Sequence, residues 1–446
     1  MLREMLSNQS GLDPQQLASA AGLPNDPELI AQLITQLQSA LQNSGDGINW
    51  GLALEQAKAR AALEPAAVAD DSAQLEQAFN VAALWLGEAT SISELTATPQ
   101  LLSRAEWVEA TMPVWIQLAE PVASSIADAI TDVLEEQAPE EMSNMISGAS
   151  SVVRNVGGTL FAMQLGQVVG QLAAEVVSGG DIGIPLLDAG AASDTQAAIV
   201  PQNLAVFGAG LDIPTDQVQL YIAVRELAHA RLFRHAKWLR LQFMTSITKS
   251  ASGIGIDTAR LEELASDFDP SNAQDLQQAM ASGALIRPKS EEQLAALERL
   301  ETTLALVEGW VDVVTAQATS RLPKSVAVAE TVRRRRAAGG PAESAFATLV
   351  GLELRPRRLR EAAAMWQAVT DAVGAEQRDA LWSHPDLVPT QADIDDPQAL
   401  IARLTAGEPE LDDIDRAIED LLGDESGDRP REGSNGSAED PPPPVV

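Results

Sequence analysis

The run from Asp216 to Ile247 reads as one long helix, with Asp216 as its cap. Val218, Ile222, Arg225, His229, Leu232 and Ala236 fall on a single face at helical spacing. The helix is apolar on most of its other sides too, so the sequence places it in the interior. That placement constrains the whole fold. Other elements must wrap around the helix, and a buried Arg225 needs a carboxylate partner, because an unpaired buried charge is very costly. With 446 residues, 45% of them hydrophobic, the chain has enough material for such a core.

Most of the remaining chain is helical in pattern. Residues 1–45 predict a polar helical arm, and Leu54–Gln137 several amphipathic helices, with Asp70, Ser91 and Ser93 as caps. Pro139–Gly148 predicts a break. Ser151–Ser178 is small and apolar, and Gly158, Gly166 and Gly170 would let another helix approach closely. Residues 179–215 are the least helical, with short strands expected at Ile182–Leu187 and Ala198–Val200. After the long helix, further helices are predicted over 258–267, 273–283, 290–320, 341–350, 357–373, 375–382 and 415–422. Residues 423–446 have the composition of a disordered acidic tail rich in Pro, Gly and Ser. The expected architecture is a mainly α body over 46–422, with a small β or irregular segment around 179–215.

Thirty basic residues stand against 64 acidic ones, for a net charge of −34. A chain this acidic repels phosphate backbones, which argues against nucleic acid as a partner. Cysteine is absent, which excludes disulfides, thiolate metal sites and a cysteine nucleophile. Val156–Val177, the longest weakly charged stretch, holds three Gln and four Gly and reads as a buried helix, not a membrane span. The N-terminus does not read as a signal peptide, and a cytoplasmic location is expected.

Only three histidines exist: His229, His235 and His384. The segment Arg225-Glu226-Leu227-Ala228-His229 has the frame of His-Glu-x-x-His with arginine in the first position. In the intact frame two histidines four residues apart share a helix face and grip one zinc. The glutamate beside the first takes a proton from the metal-bound water. Here Glu226 and His229 remain, while a guanidinium, which has no lone pair to offer a cation, replaces the first ligand. His235 lies roughly 600° around the helix from His229 and does not share its face. His384, before Pro385, reads as a turn residue. Glu308 lies on an apolar helix, which implies a polar partner for it. Arg333–Arg336 reads first as a solvated face or loop, one that could also pair with carboxylates elsewhere in the chain, and Gly179-Gly180 as turn or packing glycines.

Several blocks together carry a resemblance. They are Ile199–Leu204; Arg225–His229 with Arg231–Phe233 and Lys237–Arg240; Val307–Trp310; Arg333–Arg336; and Trp382–Thr390. With these, most of residues 140–400 resembles the actinobacterial zincin-like metallopeptidases, in a branch with Arg in place of the first histidine. The resemblance implies Glu226 as general base, His229 and Glu308 as zinc ligands, zinc as cofactor and a peptide or protein as substrate. Arg225 departs from the pattern. The residues themselves suggest that Arg225 pairs with Glu308 and sets a fixed positive charge where the metal would sit. Three readings follow: a zinc-dependent peptidase; a pseudo-peptidase that binds a peptide or protein; and a metal-free hydrolase with Glu226 as base and Arg225 as electrophile.

Overall fold

The computed structural model describes residues 48–63, 72–136, 143–187, 196–252, 290–337, 345–347, 349 and 357–406. Expectations for 1–45, 258–267, 273–283, 415–422 and 423–446, most of 341–350 and the cap at Asp70 lie outside them.

The described helices are α1 (Trp50–Ala61), α2 (Ser72–Ala89), α3 (Arg104–Glu136), α4 (Ser143–Ala173), α5 (Pro201–Ala209), α6 (Thr215–His235), α7 (Lys237–Ser252), α8 (Glu291–Ala318), α9 (Ser325–Ala337), α10 (Leu359–Ala380), α11 (Gln391–Asp395) and α12 (Pro397–Thr405). Two short strands, β1 (Gln100–Leu101) and β2 (Ala198–Ile199), pair in parallel. The described residues thus form a mainly α body with one two-stranded sheet.

At the centre lies α6, with all but one of its residues from Val218 to Phe233 buried. It packs against α2, α8, α9, α5 and β2. α8 starts with a capping box, in which Ser290 accepts from the Gln293 N–H and the Gln293 side chain accepts from the Ser290 N–H. It then runs beneath both α6 and α10. α1 lies on α4 as the small residues there predict: a Cβ on Gly170 would sit 2.7 Å from the Ala57 carbonyl oxygen.

Asn203 anchors the irregular part. Its amide donates to the carbonyls of Ala173 and Val176 at the end of α4, and its Oδ1 accepts from Arg104 of α3 at 2.7 Å. This buried knot fixes β2 and the turn of residues 178–183 against the body. β2 pairs with β1 on one side and bridges to Ser178 on the other.

Several boundaries differ from expectation. The run 216–247 is two helices, not one. Pro214, with φ −55° and ψ 136°, is the N-cap in place of Asp216, and Ala236, with φ −96° and ψ 67°, breaks the run. The proposed strand Ile182–Leu187 is a buried turn, because Gly183 takes φ +82° and Pro185 follows it. α4 begins at Ser143, inside the expected Pro139–Gly148 break. Ser91 and Ser93 cap no helix. Ser91 donates from its N–H to Asp379 at 2.8 Å instead. No helix among the described residues is long and apolar enough to cross a membrane.

Candidate functional site

The motif lies in the most deeply buried stretch of α6, with Glu226 2% and His229 4% exposed. Arg225 and His229 share a face. Arg225 Nη2 donates to Oε2 of Glu308, which α8 presents with no solvent exposure. The second oxygen of Glu308 accepts from Arg336 Nη2, at the end of α9. One buried carboxylate therefore lies between two guanidiniums. Burial alone would raise the Glu308 carboxyl; Arg336 and Arg225 outweigh it and hold the group below the usual carboxylate range.

Of the two readings the sequence leaves for the arginine run, pairing with distant carboxylates describes three of its members. Arg336 also donates to the Asp181 carbonyl, and Arg335 pairs with the Asp181 carboxylate at 2.9 Å. Arg333 forks onto Asp312 at 2.8 and 3.1 Å. Arg334 alone follows the solvated reading, pairing with Glu330 one turn earlier on the exposed side. The positive charge comes to the motif from a helix whose carboxylate partners are far away in sequence, so only folding reveals the pairing.

Glu226, beside this cluster, makes its hydrogen bonds elsewhere. Its oxygens accept from the Gly180 N–H at 2.7 Å and the Ala198 N–H at 2.9 Å, and the Ser178 side chain bonds to it as well. It ties the 178–183 turn and β2 to α6. Glycine at 180 permits that approach, since a Cβ there would lie 2.7 Å from the His229 ring. Gly183 closes the turn over the ion pairs: a Cβ there would lie 2.8 Å from Arg336 Nη2 and 2.9 Å from Glu308 Oε1.

Burial pushes the Glu226 carboxyl up from 4.5 to about 7, against the lowering effect of its hydrogen bonds. The folded protein thus holds this proton more tightly than the unfolded chain does. The associated stability is complete below the unfolded value and is lost as pH rises through about 7. Urea unfolding of wild type and Glu226→Gln should therefore diverge in slope. Between pH 5 and pH 8 the wild type is expected to lose roughly 2–3 kcal/mol more than the variant. Parallel profiles would mean that Glu226 is ionised at low pH in the folded state.

His229 is neutral: burial brings it down to about 4, and the charges of Arg225 and Arg336 add to that against the opposing pull of Glu308. Its ring rests on Phe233, with centroids 4.8 Å apart, and its Nε2 has no hydrogen-bond partner among the described residues. A cavity beside it has room for about one water molecule and is lined by Gly179, Gly180, Leu186, Glu226, His229 and Phe233.

His235 is exposed on α6, and His384 is an exposed turn residue whose Nδ1 accepts from the Asp386 N–H at 3.2 Å. Neither reaches the motif. Of the residues singled out in sequence, the fold brings together Arg225, Glu226, His229 and Glu308. The sequence reading missed Arg336, Asp181 and the Gly180 and Ser178 contacts to Glu226. The one signal available for them was a run of four arginines in an acidic chain.

Zinc, which the resemblance implies, does not fit this donor set. Arg225 offers no lone pair, both Glu308 oxygens are bonded to guanidiniums and both Glu226 oxygens to backbone N–H groups. His229 alone keeps a nitrogen unengaged. No group of three or more His, Asp or Glu side chains converges to hold a metal among the described residues.

The chain is similar to a candidate hydrolase with a novel fold from Chloroflexus aurantiacus, known from its crystal structure. The two superpose with a TM-score of 0.55 at 20% sequence identity, covering 80% of this chain and 99% of the other. At that identity the likeness speaks to the fold alone. None of the curated proteins matches. The model of the zincin-like metallopeptidases matches residues 48–401, from ahead of α1 into α12 and across every residue of the motif cluster. On that match, which spans most of its length, the chain belongs to the zincin-like metallopeptidase family.

Proposed function

We propose that this protein is a metal-free member of its family, a pseudo-peptidase that binds a peptide or protein without cleaving it. One observation carries the reading: both oxygens of Glu308 are engaged by guanidiniums, from Arg225 and Arg336. A carboxylate bonded in this way is charge-neutralised before any metal arrives, and the first ligand position repels a dication. The hydrolase description of the structural neighbour and the family's name both favour hydrolysis. The donor chemistry of this chain weighs more, because coordination needs lone pairs that these residues do not present.

The metal-free hydrolase reading is weaker. A general base must reach the reacting water, and an electrophile must have donors free for the developing charge. Glu226 spends its oxygens on Gly180 and Ala198, and Arg225 lies against Glu308.

The test is a mixed peptide library incubated with the protein in the presence of zinc and read by mass spectrometry. The expected result is no cleavage product beyond those given by Glu226→Gln. New termini that vanish in Glu226→Gln would make the protein a peptidase.

A further inference from the structure

We propose that α9 is a built-in cationic plug: Arg336 occupies the place on Glu308 that a divalent cation would need, so restoring histidine at position 225 does not by itself create a metal site. The inference rests on the metal-free reading above and holds that the Arg336 half of it, supplied by a different helix, blocks the metal even without Arg225.

Removal of Arg225 frees only one oxygen of Glu308. The other remains bonded to Arg336, so the carboxylate remains neutralised. Arg336 is not a loose side chain that a metal could push aside. Its Nη1 donates to the Asp181 carbonyl, its Nη2 to Glu308, and Gly183 closes over the pair. The end of α9 that carries it is held twice more. Arg335 pairs with Asp181 at 2.9 Å and donates to the Glu175 carbonyl at 2.6 Å; Arg333 forks onto Asp312 of α8. To vacate Glu308, a metal would have to break the Arg336 bonds to both Glu308 and the Asp181 carbonyl, with the end of α9 held in place by its neighbours.

The charge distribution points the same way. The chain has 64 acidic and 30 basic residues, yet four consecutive arginines stand at the C-terminal end of α9. Positive charge at a helix C-terminus is favoured by the helix dipole, and that end abuts the buried carboxylate of the motif.

The test compares wild type, Arg225→His, Arg336→Gln and the double variant Arg225→His/Arg336→Gln. Zinc retained after equilibrium dialysis is read by elemental analysis, and cobalt substitution by visible absorption. Only the double variant is expected to hold stoichiometric zinc and to show tetrahedral cobalt bands, both lost when His229→Ala is added. Stoichiometric zinc in Arg225→His alone would overturn the plug and leave the metal-free reading of the native chain intact. Zinc held by the wild type through His229 would overturn that reading instead. A folded double variant that binds no zinc would also overturn the plug. If the double variant does not fold, urea unfolding of Glu308→Gln, Arg336→Gln and the pair decides. Destabilisation of the pair well below the sum of the singles is the expected coupling, and strict additivity would show that Arg336 is not bonded to Glu308.

Discussion

Glu308→Ala is expected to destabilise the protein by about 3–5 kcal/mol, the range for removing one partner of a buried ion pair. Glu308 has no solvent exposure and is the carboxylate that Arg225 and Arg336 share. Without it, two guanidiniums remain close together in the interior, each short of a partner and repelling the other. Water would have to enter, or the end of α9 would have to swing out. Glu308→Gln should cost less, because its amide oxygen still accepts from one arginine while its NH2 group meets the other. Urea unfolding followed by tryptophan fluorescence gives both values. A loss of less than about 1 kcal/mol for the alanine variant, the range of an exposed ion pair, would mean that the arginines find other partners and that Glu308 is not the hub of the cluster.

Asp379→Ala is expected to have an effect of the same order, for a related reason at a different place. Asp379 is almost fully buried and gathers three parts of the body. It accepts from Thr90 Oγ1 at 2.7 Å and the Ser91 N–H at 2.8 Å, just past α2. It also accepts from Trp310 Nε1 of α8 at 2.9 Å and from Arg378 Nε beside it on α10 at 2.7 Å. Arg378, itself buried, would keep only the neutral acceptors Ala89 O, Gln317 Oε1 and Thr370 Oγ1. A loss of about 3–5 kcal/mol is expected from an uncompensated buried charge with several stranded donors. The same urea experiment measures it, and a change near zero would show that solvent reaches Arg378. The two variants separate stability from the motif's chemistry, since Asp379 touches none of Arg225, Glu226, His229 or Arg336.

What the sequence could reveal tracks how local each signal is. The interior position of the motif helix was legible because apolar residues recur on nearly every side of it from Val218 to Phe233. The need of Arg225 for a carboxylate followed from that burial. The separation of 357–373 from 375–382 was legible at Gly374, where the backbone takes φ 86° and ψ 172° within α10. The break at Ala236 was not, because Leu-Phe-Arg-His-Ala-Lys-Trp-Leu is made of residues that helices tolerate, and only tertiary packing stops the helix there. β1, two residues long, is too short for any periodic pattern. Ile182–Leu187 showed strand composition, but the positive φ at Gly183 turned it into a cover for the ion pairs. Arg336 was the costliest omission. A run of four arginines looks the same in sequence whether it faces water or reaches carboxylates at 181, 308 and 312.

Arginine engages both oxygens of Glu308 and leaves a metal no unengaged carboxylate oxygen there. Elemental analysis of the wild-type protein after dialysis against zinc tests this most directly. The prediction is no stoichiometric zinc, and a metal content that does not change with His229→Ala. One zinc per chain, lost on that substitution, would contradict it.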